Sequence, residues 1–456
     1  MADAIEGIVA HAIRIRFDDI PADVIATTQS YLLDTMGLIA AGASAPGCEA
    51  VIDQLVDWGG KPEARLFVRD RRVPAPAAAM GNSLMAHALD FDDTHERGDM
   101  HGYAVVLPAA MAMAERCGPV SGPEFLRAIV TGIDISYRLG MAIRVYRGWH
   151  PTATCGVFGA AIAAGMIARL SETELRNAMG IAYSLAAGNF QCILDGSLTK
   201  RMQPAFAARA AVEAAVYAGA GLTGAKDVLE GRFGLFPLYE LGDYAPEYLR
   251  DDLGVRFEGM SASMKPYPSC RFCHAAVDAV IALKEAVGFG PDDVAEMELR
   301  MPHEAHDYVG GPYRPGDSPQ VSAQFNAAYN AAVAVFRGKL GLAELEPEVV
   351  LDPAIRALAD RVTTVETDED YCFGPQDIII TLKDGRTLTQ HVDVMLGHFD
   401  KPLTREQLVA KVRDCIAYGG APASDVEQLL QWVGGLPTAA DALAGLPTYR
   451  VRSEAA

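Results

Sequence analysis

The chain has 456 residues, half of them hydrophobic and 21% charged, which suits two well-buried domains and excludes disorder or a fibre. Lys and Arg number 39 against 59 Asp and Glu, and the resulting formal charge of −20 opposes nucleic acid and anionic lipid as partners. The same field repels an anionic substrate, so a carboxylate site must be a local cluster of Lys, Arg and His set in an acidic body.

The opening residues, Met-Ala-Asp-Ala-Ile-Glu-Gly, lack the basic start and apolar core of an export signal. The eight cysteines are scattered, so reduced thiols and a cytoplasmic location are expected. Up to about residue 260 the pattern is helical, with Ala-rich segments and apolar residues three and four apart. Gly156 to Ala168 carries no charge but is too short to span a bilayer of roughly 20 residues, so it reads as a buried helix. Ser171-Glu-Thr-Glu174 has the form of a capping box, and Pro204 to Ala218 predicts a long helix ended by Gly221 and Gly224.

After Lys265 the texture changes. Val294 to Met301 alternates with period two, as a half-buried strand does. Asp377 to Leu382 and Thr387 to Val394 flank an Asp-Gly turn, which predicts a hairpin. Helices are expected near 274–286 and 320–337, and helical periodicity returns after Thr404. The fold class expected is mainly α: a large all-helical domain, 1–265 plus 396–456, interrupted by a smaller α+β lid domain, 266–395. Pockets tend to form where such domains meet.

Four segments carry candidate chemistry. The first, His87-Ala-Leu-Asp-Phe-Asp-Asp-Thr-His95 and on to His101, concentrates carboxylates and imidazoles that can serve as acids, bases or metal ligands. Its bland alternative is a capped helix end on a solvated loop. Asp90, Asp92, Asp93 and His95 lack zinc or calcium spacing, so no metal is expected. The second, Gly148-Trp-His-Pro-Thr-Ala-Thr154, places His150 before an apolar helix, where an anion could bind or Thr152 or Thr154 could simply cap. The third, Asp195-Gly-Ser-Leu-Thr-Lys-Arg-Met-Gln-Pro204, offers Lys200 and Arg201 as carboxylate binders, Lys200 also as a base, against the alternative of an exposed basic pair. The fourth, Lys265-Pro-Tyr-Pro-Ser-Cys-Arg-Phe-Cys-His274, stiffened by two prolines, offers Lys265, Cys270, Arg271 and His274. It matches a haem c attachment pattern by letters, but it lacks the export context and has no second ligand pair for zinc. His303 and His306 read as surface.

In this order, Asp-Phe-Asp-Asp-Thr (90–94), His-Pro-Thr-Ala-Thr (150–154), Thr-Lys-Arg (199–201) and Lys-Pro-Tyr-Pro (265–268) resemble the MmgE/PrpD family along essentially the whole chain. The resemblance implies a homodimer, catalysis without metal or organic cofactor, and a small di- or tricarboxylate substrate. It implies catalytic roles for His101, His150, Lys200 and Lys265 and a place in the pocket for Asp90 and Thr94. Arg201, Cys270, Arg271 and His274, which stand beside these motifs, are expected as further substrate-binding residues. Activities in the family include 2-methylcitrate dehydratase, cis-aconitate decarboxylase and iminodisuccinate epimerase. Cys270 stands where the decarboxylase pattern has a histidine, and the loop from Thr94 to His101 is one residue longer than in that branch. The first expectation is therefore an iminodisuccinate-type epimerase. The alternatives are a 2-methylcitrate-type dehydratase, then a decarboxylase, and last a carboxylate binder that has lost catalysis.

Overall fold

The computed structural model describes residues 2–449, so Met1 and the final seven residues of the expected 396–456 segment lie outside the described residues. The chain divides into two compact units, one formed by residues up to 262 and from 405 onward, the other by Ser263–Thr404. Lys265 therefore belongs to the second unit. Among the described residues no helix is long and apolar enough to cross a membrane.

The first unit is built from helices packed around α1 (Ala22–Gly42), α2 (Ala75–His87), α3 (Tyr103–Cys117), α4 (Gly122–Met141), α5 (Gly156–Ile167), α6 (Glu172–Tyr183) and α7 (Thr199–Gly219). Every residue of α5 is buried, which explains its unbroken apolar sequence. It crosses α4 at a close approach that only small residues permit. A Cβ on Gly159 would stand 2.1 Å from the Gly132 carbonyl oxygen and 2.0 Å from the Ser136 hydroxyl. Ser171 caps α6 as its sequence predicts: its hydroxyl accepts from the Glu174 amide while the Glu174 carboxylate accepts from the Ser171 amide.

Helix α7 begins at Thr199, five residues before the expected start, and Pro204 lies inside it. At the sixth helical position its ring cannot donate to the Lys200 carbonyl and crowds it, a local cost borne close to the helix start. The early start puts Lys200 and Gln203 on the first turn, three residues apart and so on one face. The unit is not wholly helical, since β1 (Ala64–Leu66) pairs antiparallel with β2 (Arg71–Val73).

In the second unit α8 (His274–Val287) and α9 (Ala327–Arg337) pack with a four-stranded sheet made of β3 (Val294–Pro302), β4 (Val362–Thr367), β5 (Gln376–Leu382) and β6 (Thr387–Val392), ordered β4-β3-β5-β6. β3 runs parallel to β4 and antiparallel to β5, and β5 and β6 form the expected hairpin. Burial alternates along β5, with Ile378, Ile380 and Leu382 inward. The helix expected over 320–337 is two, Pro319–Gln324 and Ala327–Arg337. The break falls at Asn326, whose side chain accepts from the Tyr329 amide and caps the second.

Candidate active site

Helix α2 ends at His87, and the chain turns through Asp90 with φ of 52°, a left-handed conformation that aspartate tolerates better than most residues. That turn directs the Asp90 carboxylate to Lys200 on α7, and the two form an ion pair with side chains 7% and 14% exposed. Lys200 is therefore no exposed surface lysine. A carboxylate that pairs with an ammonium in a largely desolvated setting holds it in place and aims it.

Asp93, three residues on, anchors α3. Its carboxylate accepts from the Gly102 amide at 2.8 Å and the Tyr103 amide at 3.2 Å, and the Tyr137 hydroxyl donates to it as well. Burial first, then the neighbouring charge of Asp92, pushes its carboxyl up to about 7. The loop between Asp93 and α3 closes on itself through reciprocal backbone bonds of His95 with Met100. The His95 ring packs on Tyr137 and its Nδ1 accepts from the Gly98 amide. Burial lowers the His95 imidazole to about 3, so it is a neutral structural group.

The loop delivers His101 with its orientation fixed at two points. The His101 amide donates to the Thr152 hydroxyl at 3.1 Å, and its Nδ1–H donates to the Asp93 carbonyl oxygen. With Nδ1 so used, a proton that His101 exchanges with a substrate passes through Nε2. Thr152 does not cap a helix, and the Thr154 hydroxyl donates back to the His150 carbonyl at 3.2 Å.

His150 is fixed in the same manner by a residue the sequence reading did not single out. The Gln203 amide nitrogen donates to the Asn189 carbonyl at 2.8 Å and lies 3.0 Å from the Cys192 sulfur. Its oxygen must then be the acceptor, and it takes bonds from the Asn189 amide at 2.9 Å and from His150 Nδ1 at 3.0 Å. His150 is only 2% exposed, and its imidazole is held well below the ordinary range by burial first, then by the charges of Lys200 and His87. It is neutral at pH 7, with Nε2 unprotonated.

Asp90, Thr94, His101, His150 and Lys200 thus belong to one region of the first unit, together with His87, whose ring meets His101 edge-on at 4.8 Å and lies 6.2 Å from His150. Thr94 is 4% exposed and its hydroxyl has no hydrogen-bond partner among the described residues. Arg201, next to Lys200, turns away: it donates to the Pro46 carbonyl at 2.9 Å and interacts with the Cys48 thiol. In the second unit Lys265 is 1% exposed. Arg271 donates to the Leu396 carbonyl at 2.7 Å and lies 3.1 Å from His274 Nδ1, while His274 Nε2 faces the Ser269 carbonyl. The Cys270 amide donates to the Gln324 carbonyl. His303 is exposed and paired with Glu366, as a surface residue should be.

Ligand-type atoms of His87, Asp92 and His101 lie within 4.8 Å of one another. The His87 Nδ1 to Asp92 Oδ2 separation of 2.7 Å is that of a hydrogen bond. Two donors on one tetrahedral zinc ion stand roughly 3.3 Å apart. The arrangement is a hydrogen-bonded cluster suited to proton transfer.

Comparison with known proteins bears on what such a cluster does. The MmgE/PrpD N-terminal domain model matches residues 6–247 and the MmgE/PrpD C-terminal domain model matches residues 267–433. A cis-aconitate decarboxylase-like protein, oryM, of Aspergillus oryzae is 29% identical over 450 residues, covering 93% of this chain and 92% of its own. Human cis-aconitate decarboxylase is 29% identical, covering 86% and 83% respectively. The 2-methylcitrate dehydratase of Cupriavidus necator is 24% identical, covering 82% and 81%.

Proposed function

We propose that this chain, which belongs to the MmgE/PrpD family, is a lyase of small tricarboxylates whose first step takes a proton from a carbon beside a carboxylate. The observation that carries this reading is the pair of histidines, each with its ring oriented by an Nδ1 hydrogen bond to a fixed acceptor. His150, neutral, is the base. His101 is the acid that protonates the departing hydroxyl, as a hydro-lyase of the 2-methylcitrate type requires. Lys200, aimed by Asp90, binds the substrate carboxylate and stabilises the enolate-like charge that develops when the proton leaves.

The electrostatics couple binding to basicity. The charge of Lys200 is the second cause, after burial, that depresses His150. A substrate carboxylate that neutralises Lys200 therefore raises the basicity of His150 when the base is needed. Thr94 and Lys265 are proposed as further substrate contacts on the resemblance of their motifs, and Cys270, Arg271 and His274 on their place in the segment that Lys265 opens. A homodimer and a cytoplasmic location belong to the same proposal, and sedimentation that finds only monomer would overturn the first.

The second reading is epimerisation of a dicarboxylate of the iminodisuccinate type. It shares the proton-abstraction step and differs in having no leaving group. Decarboxylation, the activity in the names of several relatives, needs an acid but no base, and Cys270 departs from the decarboxylase pattern. Proton NMR of the protein with 2-methylcitrate, citrate, cis-aconitate and iminodisuccinate separates these outcomes. Loss of water, read as a new vinyl proton from citrate or as a methyl group shifted onto a double bond from 2-methylcitrate, supports the hydro-lyase, and inversion without mass change supports the epimerase. Release of CO2 from cis-aconitate, or silence on all four, overturns the base-led reading.

A further inference from the structure

His87 and Asp92 form the most enclosed ionisable pair at the site: both side chains are 0% exposed and His87 Nδ1 lies 2.7 Å from Asp92 Oδ2. The same carboxylate oxygen lies 3.6 Å from His101 Nδ1, so Asp92 stands against two imidazoles at once. Its other oxygen, Oδ1, accepts no hydrogen bond among the described residues. A carboxylate so enclosed and so sparsely hydrogen-bonded is stable as an anion only with a positive charge beside it. The groups against it that can carry that charge are His87 and His101. Lys411, which is also buried, is already held by Asp34 and by the Phe91 carbonyl.

We propose that Asp92 and His87 are positioning residues that keep one proton on the His87–His101 pair, so that His101 enters the reaction charged and acts as its acid. The proposal rests on the acid–base reading above. Asp92 favours a proton on either ring, while the edge-on contact of the rings at 4.8 Å disfavours a second, so the pair holds one. The other groups facing His101 do not supply this control. Thr152 and the Asp93 carbonyl are neutral. The Asp93 carboxylate is turned to Gly102, Tyr103 and Tyr137. The Asp90 and Lys200 charges offset each other, and His150 is neutral. Only proton position changes, and no bond to carbon is made or broken by the pair.

The test uses full-length protein labelled with 13Cε1-histidine, with the His101 resonance identified by its loss in His101→Gln. Asp92→Asn should lower the His101 titration midpoint by about one pH unit or more. His87→Gln should raise it, because His101 then has Asp92 to itself. In turnover, the limb of the kcat/KM profile set by the acid should move with the midpoint while KM at the optimum stays within twofold. A purely packing role predicts lower thermal stability with no shift of midpoint in either folded variant, and that result would overturn the proposal. Should Asp92→Asn not fold, the upward shift in His87→Gln decides alone. The titration needs no substrate, so a wild-type protein inert toward all four carboxylates would refute the functional reading and leave this inference standing or falling on its own data.

Discussion

Gln203 gives the sharpest handle on the assignment of His150 as base. Replacing it by glutamate keeps the shape and sets a negative charge at the acceptor position 3.0 Å from His150 Nδ1. At an effective dielectric constant near 20, unit charges at that distance attract by about 5–6 kcal/mol, before the cost of burying the new carboxylate is subtracted. If only a quarter survives, about 1.4 kcal/mol remains, which is one pKa unit and a tenfold change in the neutral fraction below the midpoint. Gln203→Glu should therefore move the acid limb of kcat/KM upward by at least about one pH unit. Gln203→Leu removes the acceptor whose hydrogen bond raises His150, so it should shift that limb downward, opposite to Gln203→Glu, and lower kcat by about 10–100-fold, because His150 loses its fixed tautomer. The assay is a pH series of initial rates on whichever carboxylate the protein turns over. An acid limb unmoved in Gln203→Glu, with the fold intact, would refute the role given to His150.

Other perturbations probe the remaining parts. Lys200→Met removes a charge-assisted contact to the substrate and strands Asp90, so kcat/KM should fall by about 10–150-fold, measured by steady-state kinetics. Loss within threefold would contradict it. His95 is held near 3 against an ordinary 6.5, so its contribution to stability is full above 6.5 and lost as pH falls toward 3. Between pH 7 and 5.5 that amounts to about 1.3 kcal/mol, and His95→Asn should be less acid-sensitive by this amount in urea unfolding. Gly188, at φ of 146°, accepts the His150 amide, and a Cβ there would stand 2.7 Å from the Gln203 oxygen. Gly188→Ala should lower both Tm and kcat, and an unchanged kcat would show that the Gln203 contact is dispensable. Activity should survive dialysis against a chelator; its disappearance and return with Zn²⁺ would overturn a metal-free mechanism.

Much of the fold was legible because its signals are local. The Asp384-Gly385 turn, with Gly385 at φ of 89°, announces the β5–β6 hairpin, and Ser171 with Glu174 announces α6. β4 was not legible. It is a half-exposed strand with no buried residue, paired in parallel with β3, and its partner lies more than sixty residues earlier. The start of α7 was misplaced because proline was read as a first-turn residue, when Thr199 and Lys200 already belong to the helix. At the site, motif density pointed to Asp90, His101, His150 and Lys200, but the Lys200–Asp90 pair joins positions 110 residues apart, which no spacing reveals. Gln203 had a signal that went unused, namely its place one helical turn after Lys200. His87 and Asp92 were inside the quoted motif, yet only burial distinguishes them from the more accessible His101.

The central claim is that a histidine pair moves a proton at a carbon beside a carboxylate. Incubation in D₂O with the four-carboxylate panel, followed by NMR for wild type, His101→Asn and His150→Asn, tests it most directly. The account predicts that wild type exchanges deuterium at that carbon or eliminates from it, that His150→Asn loses exchange, and that His101→Asn retains exchange but loses elimination. Exchange and product formation that persist in His150→Asn at the wild-type rate would contradict it.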